Sequence, residues 1–294
     1  MEEKRGFPLL LSSFWLKIIA ILTMTIDHIG VMFDITPCRY IGRLALPLFC
    51  FMAAEGVLHT KNFKKYALRL GIMAAVISLI IIGSETIPFF ANLRLGLRYE
   101  GIIFLDLLLG VVAVYCLMNK RWYIKLLAIL PLAYGIASFI ATAFDDCGCY
   151  GEVLWLPYFL RTQYGWFGIA MVIGFYLAHL LTRLFFKAQS HTSGIDADTY
   201  KGTRTEQIAI NIISTLILVI LTLLYYFVHN IMEMYMYVRV IYHVQLMSII
   251  SGAFILLYSG ARGYNKKWFQ YGSYLYYPLH LAVIAAIAAI VFSM

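Results

Sequence analysis

Stretches of about 20 mostly apolar residues recur along nearly the whole chain, and no other feature limits its fold so tightly. A helix rising 1.5 Å per residue crosses a hydrocarbon core of roughly 30 Å in such a stretch. Nine runs of this kind fall at about 14–33, 40–58, 66–88, 101–118, 122–144, 165–182, 207–228, 241–259 and 271–293. The expected fold is therefore all-α: a polytopic integral membrane protein of about nine transmembrane helices, forming one domain over residues 1–294. Composition agrees, since 62% of the residues are hydrophobic and only 13% charged, with a mean hydropathy of +0.81, far from the balance of a soluble domain.

The joints between runs are short. The longest polar connection, 187–206, reads as a flexible loop dividing six helices from three, too short and too poor in apolar residues to be a soluble domain. The first run exceeds the apolar core of a signal peptide, contains Asp27 and His28 and lacks a small-residue cleavage site, so it is expected to remain as a spanning helix. Internal repeats are not evident, which gives no support to an inverted-repeat transporter.

Cytoplasmic loops collect Lys and Arg, and a nine-helix thread with the N-terminus inside and the C-terminus outside sorts these residues cleanly. Of the 23 basic residues, 17 fall on the inner side, including every lysine; the other six are Arg39, Arg43, Arg94, Arg98, Arg161 and Arg239. The net charge of +8 is then mostly topology and contact with anionic lipid, and no soluble basic module exists to grip nucleic acid. An outer set made only of arginines suits the planar, bidentate recognition of carboxylate or phosphate, although the stronger inside bias of lysine would also produce it. Cys50 and Cys116 fall within helices, while Cys38, Cys147 and Cys149 fall outside, where Cys38 could pair with one of the other two. Their spacing does not suit a structural zinc site, and no metal is assigned.

Ionisable groups inside spanning helices are costly and usually face a cavity or a partner. His28 lies roughly 21 Å above an inner boundary near Phe14, which puts it and Asp27 in the outer half. Arg43, Glu85, Asp106 and His243 converge on the same layer; Glu55 lies lower, and His280 sits near mid-membrane. Asp27 with Arg43, or Glu85 with an outer arginine, could equally be a buried ion pair that fixes helix packing. His280, beside Pro278, reads first as a packing residue. His28 reads as functional, because an imidazole that titrates near working pH suits proton transfer. Adjacent residues on a helix point about 100° apart, so a partner for His28 should come from another helix rather than from Asp27.

The stretches "LKIIAILTMTIDHIG", "IGRLALPLFCFMAAEG" followed by "HTKNFKKYALRL", "SETIPF", "YGWFGIAMVIGFYL" and "YLYYPLHLAVI" resemble, in that order, the TraX family, named for F-pilin acetylation. That family is similar in outline to larger transmembrane acyltransferases, including acyltransferase family 3 and heparan-α-glucosaminide N-acetyltransferase. The resemblance implies transfer of an acyl group from cytosolic acyl-CoA, acetyl-CoA above all, to an acceptor across the membrane. It makes His28 the catalytic histidine, with Arg43 and Glu85 as supporting residues. The chain departs from the family pattern at "RYEGIIFLD", where an amide-rich "QN" is usual, and at the extended "DDCGCYGEVLWLPYFLR", so its acceptor can differ from pilin.

On this reading His28, Asp27 and Arg43 carry catalysis, and Glu85, Asp106, His243 and His280 support it. Lys61, Lys64, Lys65 or Lys266 would meet the CoA phosphates. His28 would act as a base towards the acceptor or become acylated itself, and Arg43 would stabilise the oxyanion. The expected partners are the lipid bilayer, acyl-CoA and an extracytoplasmic glycan or protein, and the expected location is the bacterial inner membrane. A rival reading is a proton-coupled carrier or flippase for an anionic solute or lipid-linked glycan, with Asp27, His28 and His280 relaying protons. A third is a non-enzymatic scaffold for envelope assembly.

Overall fold

The computed structural model describes residues 9–86, 102–147, 155–193, 196–236 and 242–293. The chain is all-helical and multi-pass. Its α-helices are α1 (Ser13–Met32), α2 (Thr36–Gly42), α3 (Ala45–His59), α4 (Phe63–Thr86), α5 (Ile103–Leu117), α6 (Trp122–Leu126), α7 (Ile129–Cys147), α8 (Trp166–Ser193), α9 (Arg204–Met236), α10 (Ser251–Leu256) and α11 (Lys267–Ser293). Two of the hydroxyl side chains in the apolar interior bond back to their own helix, Thr23 to the Ile19 carbonyl and Thr182 to that of Ala178.

Seven segments are long and apolar enough to cross a membrane: Ser13–Met32, Thr36–His59, Phe63–Gly83, Trp122–Asp145, Trp166–His191, Arg204–Met234 and Lys267–Val291. The two remaining expected spans, 101–118 and 241–259, occur as the shorter apolar helices Ile103–Leu117 and His243–Leu256, the second opening in 3-10 geometry. The expected flexible loop at 187–206 is a correction: α8 continues to Ser193, a 3-10 turn covers Ala197–Tyr200, and α9 begins at Arg204. Lys187, Ala188 and Gln189 are good helix formers, so the helix extends past its apolar part.

Chain 36–59 is the centre of the bundle. Of its most apolar 18 residues 61% are buried, against 22–44% in the other long segments, and α3 packs on α1, α5 and α8. Phe51 packs nearly perpendicular to Phe175 and Tyr258 at ring separations of 5.3 and 5.2 Å. Close approach is made by glycine: a Cβ on Gly110 of α5 would lie 2.7 Å from that of Val172 on α8.

Helices α1 and α11 run parallel. Lys17 lies over the Phe269 ring at 5.5 Å, Thr25 Oγ1 meets the Tyr276 hydroxyl at 2.8 Å, and His28 meets His280, so contacts climb both helices together. Their starts are also tied to one another. Leu10 and Leu11 donate backbone hydrogen bonds to the Leu257 carbonyl, Ser13 to that of Ala261 and Phe14 to that of Arg262. Gly260 and Gly263, at φ +73° and +67°, turn this connection where a side chain would be strained.

Candidate functional site

The roughly 100° between adjacent helix positions sends Asp27 and His28 to different neighbours. Asp27 faces α2 and the turn that follows it. Arg43 Nη2 donates to both Asp27 carboxylate oxygens at 2.9 Å, and Arg39 Nη1 lies 3.0 Å from Oδ2 as an ion-pair contact. Arg43 also donates through Nη1 to Gln245 Oε1 at 3.3 Å and through Nε to the Arg39 carbonyl at 3.4 Å. Each of its three nitrogens thus meets an acceptor, which ties α1, α2 and the 3-10 helix over 242–250 together.

His28 faces α11, where its Nδ1 lies 2.6 Å from His280 Nε2. Both side chains are buried, at 8% and 5% exposure. Ring centroids 4.9 Å apart with planes within 24° are what two imidazoles joined edge to edge through that contact would give, rather than face-to-face stacking. His280 Nδ1 lies 2.8 Å from the Tyr276 carbonyl, which can only accept, so Nδ1 carries a proton. With both rings neutral, His280 Nε2 is then the acceptor, His28 Nδ1–H the donor, and the His28 lone pair sits at Nε2. These proton positions follow from the hydrogen-bond network. Tyr277 stands nearly perpendicular to both rings, 5.9 Å from His28 and 5.5 Å from His280, and Phe104 nearly perpendicular to Tyr277 at 5.0 Å.

The other expected residues divide by position. Asp106 is fully buried and accepts from the backbone N–H of Gln163 at 2.7 Å and of Tyr164 at 3.2 Å, binding α5 to the entry of α8. A Cβ on Gly168 would lie 2.7 Å from Asp106 Oδ1, so the site is built around this carboxylate. Its neighbours there differ from those of His28. His243 is exposed. The backbone of Glu85 closes α4, but its side chain lies outside the described residues, as do Arg94, Arg98, Arg239 and Cys149 and the side chain of Cys147. Cys38 is a free thiol. Lys61, Lys64 and Lys65 are exposed at the start of α4, and Lys266 is exposed with its ammonium 5.9 Å from the Tyr264 ring.

Two pairings escape sequence reasoning. Glu55 Oε1 lies 2.6 Å from His179 Nε2, and Glu55 Oε2 accepts at 3.5 Å from the Tyr258 hydroxyl, itself 3.0 Å from Ser13 Oγ. His179 is one polar group in the long apolar α8, with no spacing signal to connect it to Glu55. Arg161 pairs with Asp145, so three of the arginines expected on the outer side, Arg39, Arg43 and Arg161, are engaged by carboxylates of this chain. The role of Arg39 beside Arg43 had a signal, since positions four apart share a helix face.

The model of the TraX protein family matches residues 12–247. The chain belongs to the TraX family. TraX similarity extends to the probable fimbrial assembly protein FimC, serogroup H1, of Dichelobacter nodosus, 36% identical over 102 residues, which is 32% of this chain and 41% of that protein. An uncharacterized protein, RP591, of Rickettsia prowazekii (strain Madrid E) is 52% identical over 40 residues, 13% of this chain and 16% of that one. The matched stretches therefore span less than half the length of these relatives. No solved structure matches this TraX chain.

Proposed function

We propose that this TraX protein is an acyltransferase of the bacterial cytoplasmic membrane, moving an acetyl or related acyl group from acyl-CoA to an extracytoplasmic hydroxyl or amine. The observation that carries this reading is the buried His28–His280 pair at 2.6 Å, whose hydrogen bonds direct a basic nitrogen, His28 Nε2, away from its partner. The family's name, taken from pilin acetylation, and the fimbrial assembly name of the D. nodosus relative support an acetyl donor and an acceptor linked to surface structures.

The step balances on these residues. His28 Nε2 takes the proton of the acceptor O–H or N–H as that oxygen or nitrogen bonds to the thioester carbon. The C–S bond then breaks, and the proton held at Nε2 passes to the departing sulfur, so CoA leaves as a thiol. His280 holds the tautomer and stabilises the imidazolium that forms in between, the part a carboxylate plays in a Ser-His-Asp triad. Arg43, occupied by Asp27 and Gln245, acts by fixing α1 beside α2. That three outer arginines are engaged by carboxylates leaves less for an anion carrier to use.

Purified protein supplied with labelled acetyl-CoA and a membrane-surface glycan or pilin fraction tests the reading through thiol release and label transfer. His28→Ala is expected to lower release by about 100-fold or more, the usual worth of a general base. His280→Gln, whose amide oxygen can accept from His28 Nδ1–H, should retain more activity than His280→Leu. Proton-coupled uptake with no thiol release would replace the enzyme by the carrier, and release unaffected by His28→Ala would remove His28 from the chemistry.

A further inference from the structure

Two hydroxyls join α1 to α11 one turn before the histidines. Thr25 Oγ1 lies 2.8 Å from the Tyr276 hydroxyl and donates to the Ile21 carbonyl at 2.9 Å. A threonine has one hydroxyl proton, so with that proton on Ile21 the phenol is the donor across the seam. Tyr276 also touches His280 twice. Its carbonyl accepts from Nδ1 at 2.8 Å, and its ring lies within 6° of parallel to the imidazole, with centroids 5.0 Å apart. The same residue thus reaches α1 with its hydroxyl and holds the tautomer and plane of His280 with its backbone and ring.

Thr25 and His28 stand three apart on α1, and Tyr276 and His280 four apart on α11, so each pair shares a face of its helix. The bonds Thr25–Tyr276 and His28–His280 therefore lie one above the other, separated by about 5 Å of helix rise. A single contact would leave α11 free to pivot. At a side-chain radius of about 5–6 Å, a turn of roughly 10° carries an imidazole nitrogen about 1 Å, enough to stretch the 2.6 Å contact past hydrogen-bond range. The second contact removes that freedom, because the same rotation pulls the phenol away from Thr25. What depends on it is a proton. His28 Nε2 is basic only while His28 Nδ1–H donates to His280 Nε2; if the pair forms the other way, with His280 Nε2–H donating to His28 Nδ1, the proton of His28 sits on Nε2 and that nitrogen is no longer a base.

We propose that Thr25 and Tyr276 are positioning residues: their hydroxyl bond fixes α11 against α1 so that His280 presents a lone pair, and not a proton, to His28 Nδ1. The value of this for transfer rests on the acyltransferase reading; the effect on the histidine pair does not. A bond that only held the helices together would change stability and leave the tautomers as they are.

The test removes the bond from either side in the purified full chain in lipid, by Tyr276→Phe, which keeps the ring, and by Thr25→Val, which keeps the shape. Each should lower kcat for transfer from acetyl-CoA by about tenfold or more per folded protein, with KM for acetyl-CoA unchanged. The double variant should lose no more than the larger single loss, since both changes remove one bond. Thr25→Ser, which keeps the hydroxyl, should recover most of the rate. Nitrogen NMR of isotope-labelled histidines, assigned through His28→Ala and His280→Gln, should find His28 protonated at Nδ1 in the parent and partly at Nε2 in Tyr276→Phe and Thr25→Val. Where one variant does not fold, the other reads the same bond. A parent that transfers no acyl group removes the enzyme reading but not the positioning role, which the same spectra then decide. Parent-like histidine spectra in the variants, with or without a loss of rate, reduce the bond to helix packing and overturn the proposal. So do a parent protonated at His28 Nε2 and full transfer by both variants.

Discussion

A methyl group on Gly42 would sit 2.2 Å from both Cβ and Oδ1 of Asp27, well inside any tolerable contact, so the glycine and the carboxylate are one feature. Gly42→Ala should therefore mimic loss of the ion pair itself. Asp27→Asn leaves Arg43 and Arg39 without their carboxylate inside the membrane, and breaking a buried pair from one side costs about 3–5 kcal/mol. Both variants are expected to melt several degrees below the parent in detergent and to lose transfer roughly in step with folded protein. His28→Ala should instead lose transfer while keeping its melting temperature. A Gly42→Ala protein as stable as the parent would show that α2 can move away from α1 and that Asp27 is not held as described. That Asp27 and His28 take partners on different helices was legible from their adjacency alone; that the partner of His28 is His280 was not, because no spacing connects residues 252 positions apart. Beside Pro278, His280 could be read as a packing residue, and only the bond from its Nδ1 to the Tyr276 carbonyl gives its ring a defined acceptor nitrogen.

At the scale of elements, hydropathy locates the apolar runs well because a helix in lipid leaves little freedom in length. It fails where length is set by something else. Residues 101–118 and 241–259 are apolar enough to read as spans, but their helices stop at 15 residues in α5 and at Leu256 in the other. α8 outruns its apolar part because polar helix formers continue it to Ser193. Pairing of helices is still less legible, since every helix offers an apolar face. The parallel seam of α1 and α11 is a consequence of three contacts, at Lys17, Thr25 and His28, that advance together on both helices. A short thiol cross-linker in a cysteine-free background should join Thr25→Cys to Tyr276→Cys. It should fail to join Thr25→Cys to Phe269→Cys, which lies about 10 Å lower by helix rise. Efficient joining of the second pair and none of the first would mean the register, and with it the His28–His280 contact, is wrong.

For the whole molecule the parallel seam constrains the path through the bilayer. Two parallel spanning helices at the beginning and end of a chain require an odd number of crossings, and both the seven long segments and the full set of nine apolar ones are odd. The backbone bonds between residues 10–14 and 257–262 add that the starts of α1 and α11 lie on one side whatever the count between them. Which side that is follows from charge: Lys17, Lys61, Lys64, Lys65, Arg262, Lys266 and Lys267 all cluster near these starts or at the α3–α4 turn, and such residues stay in the cytoplasm. With all nine apolar segments crossing, the expected topology has the N-terminus, Ser193 and Asn265 inside, and residues 145–163 and the C-terminus outside. An impermeant maleimide applied to intact, gently reduced cells should label Cys147 or Cys149 and should leave cysteines at Ser193→Cys and Asn265→Cys unlabelled until the membrane is opened. Labelling of Asn265→Cys in intact cells would invert the molecule. On the acyltransferase reading, a donor from the cytoplasm would then have to approach His28 from the other end of the α1–α11 seam. The orientation of the chain and the direction of acyl transfer are therefore decided by the same measurement.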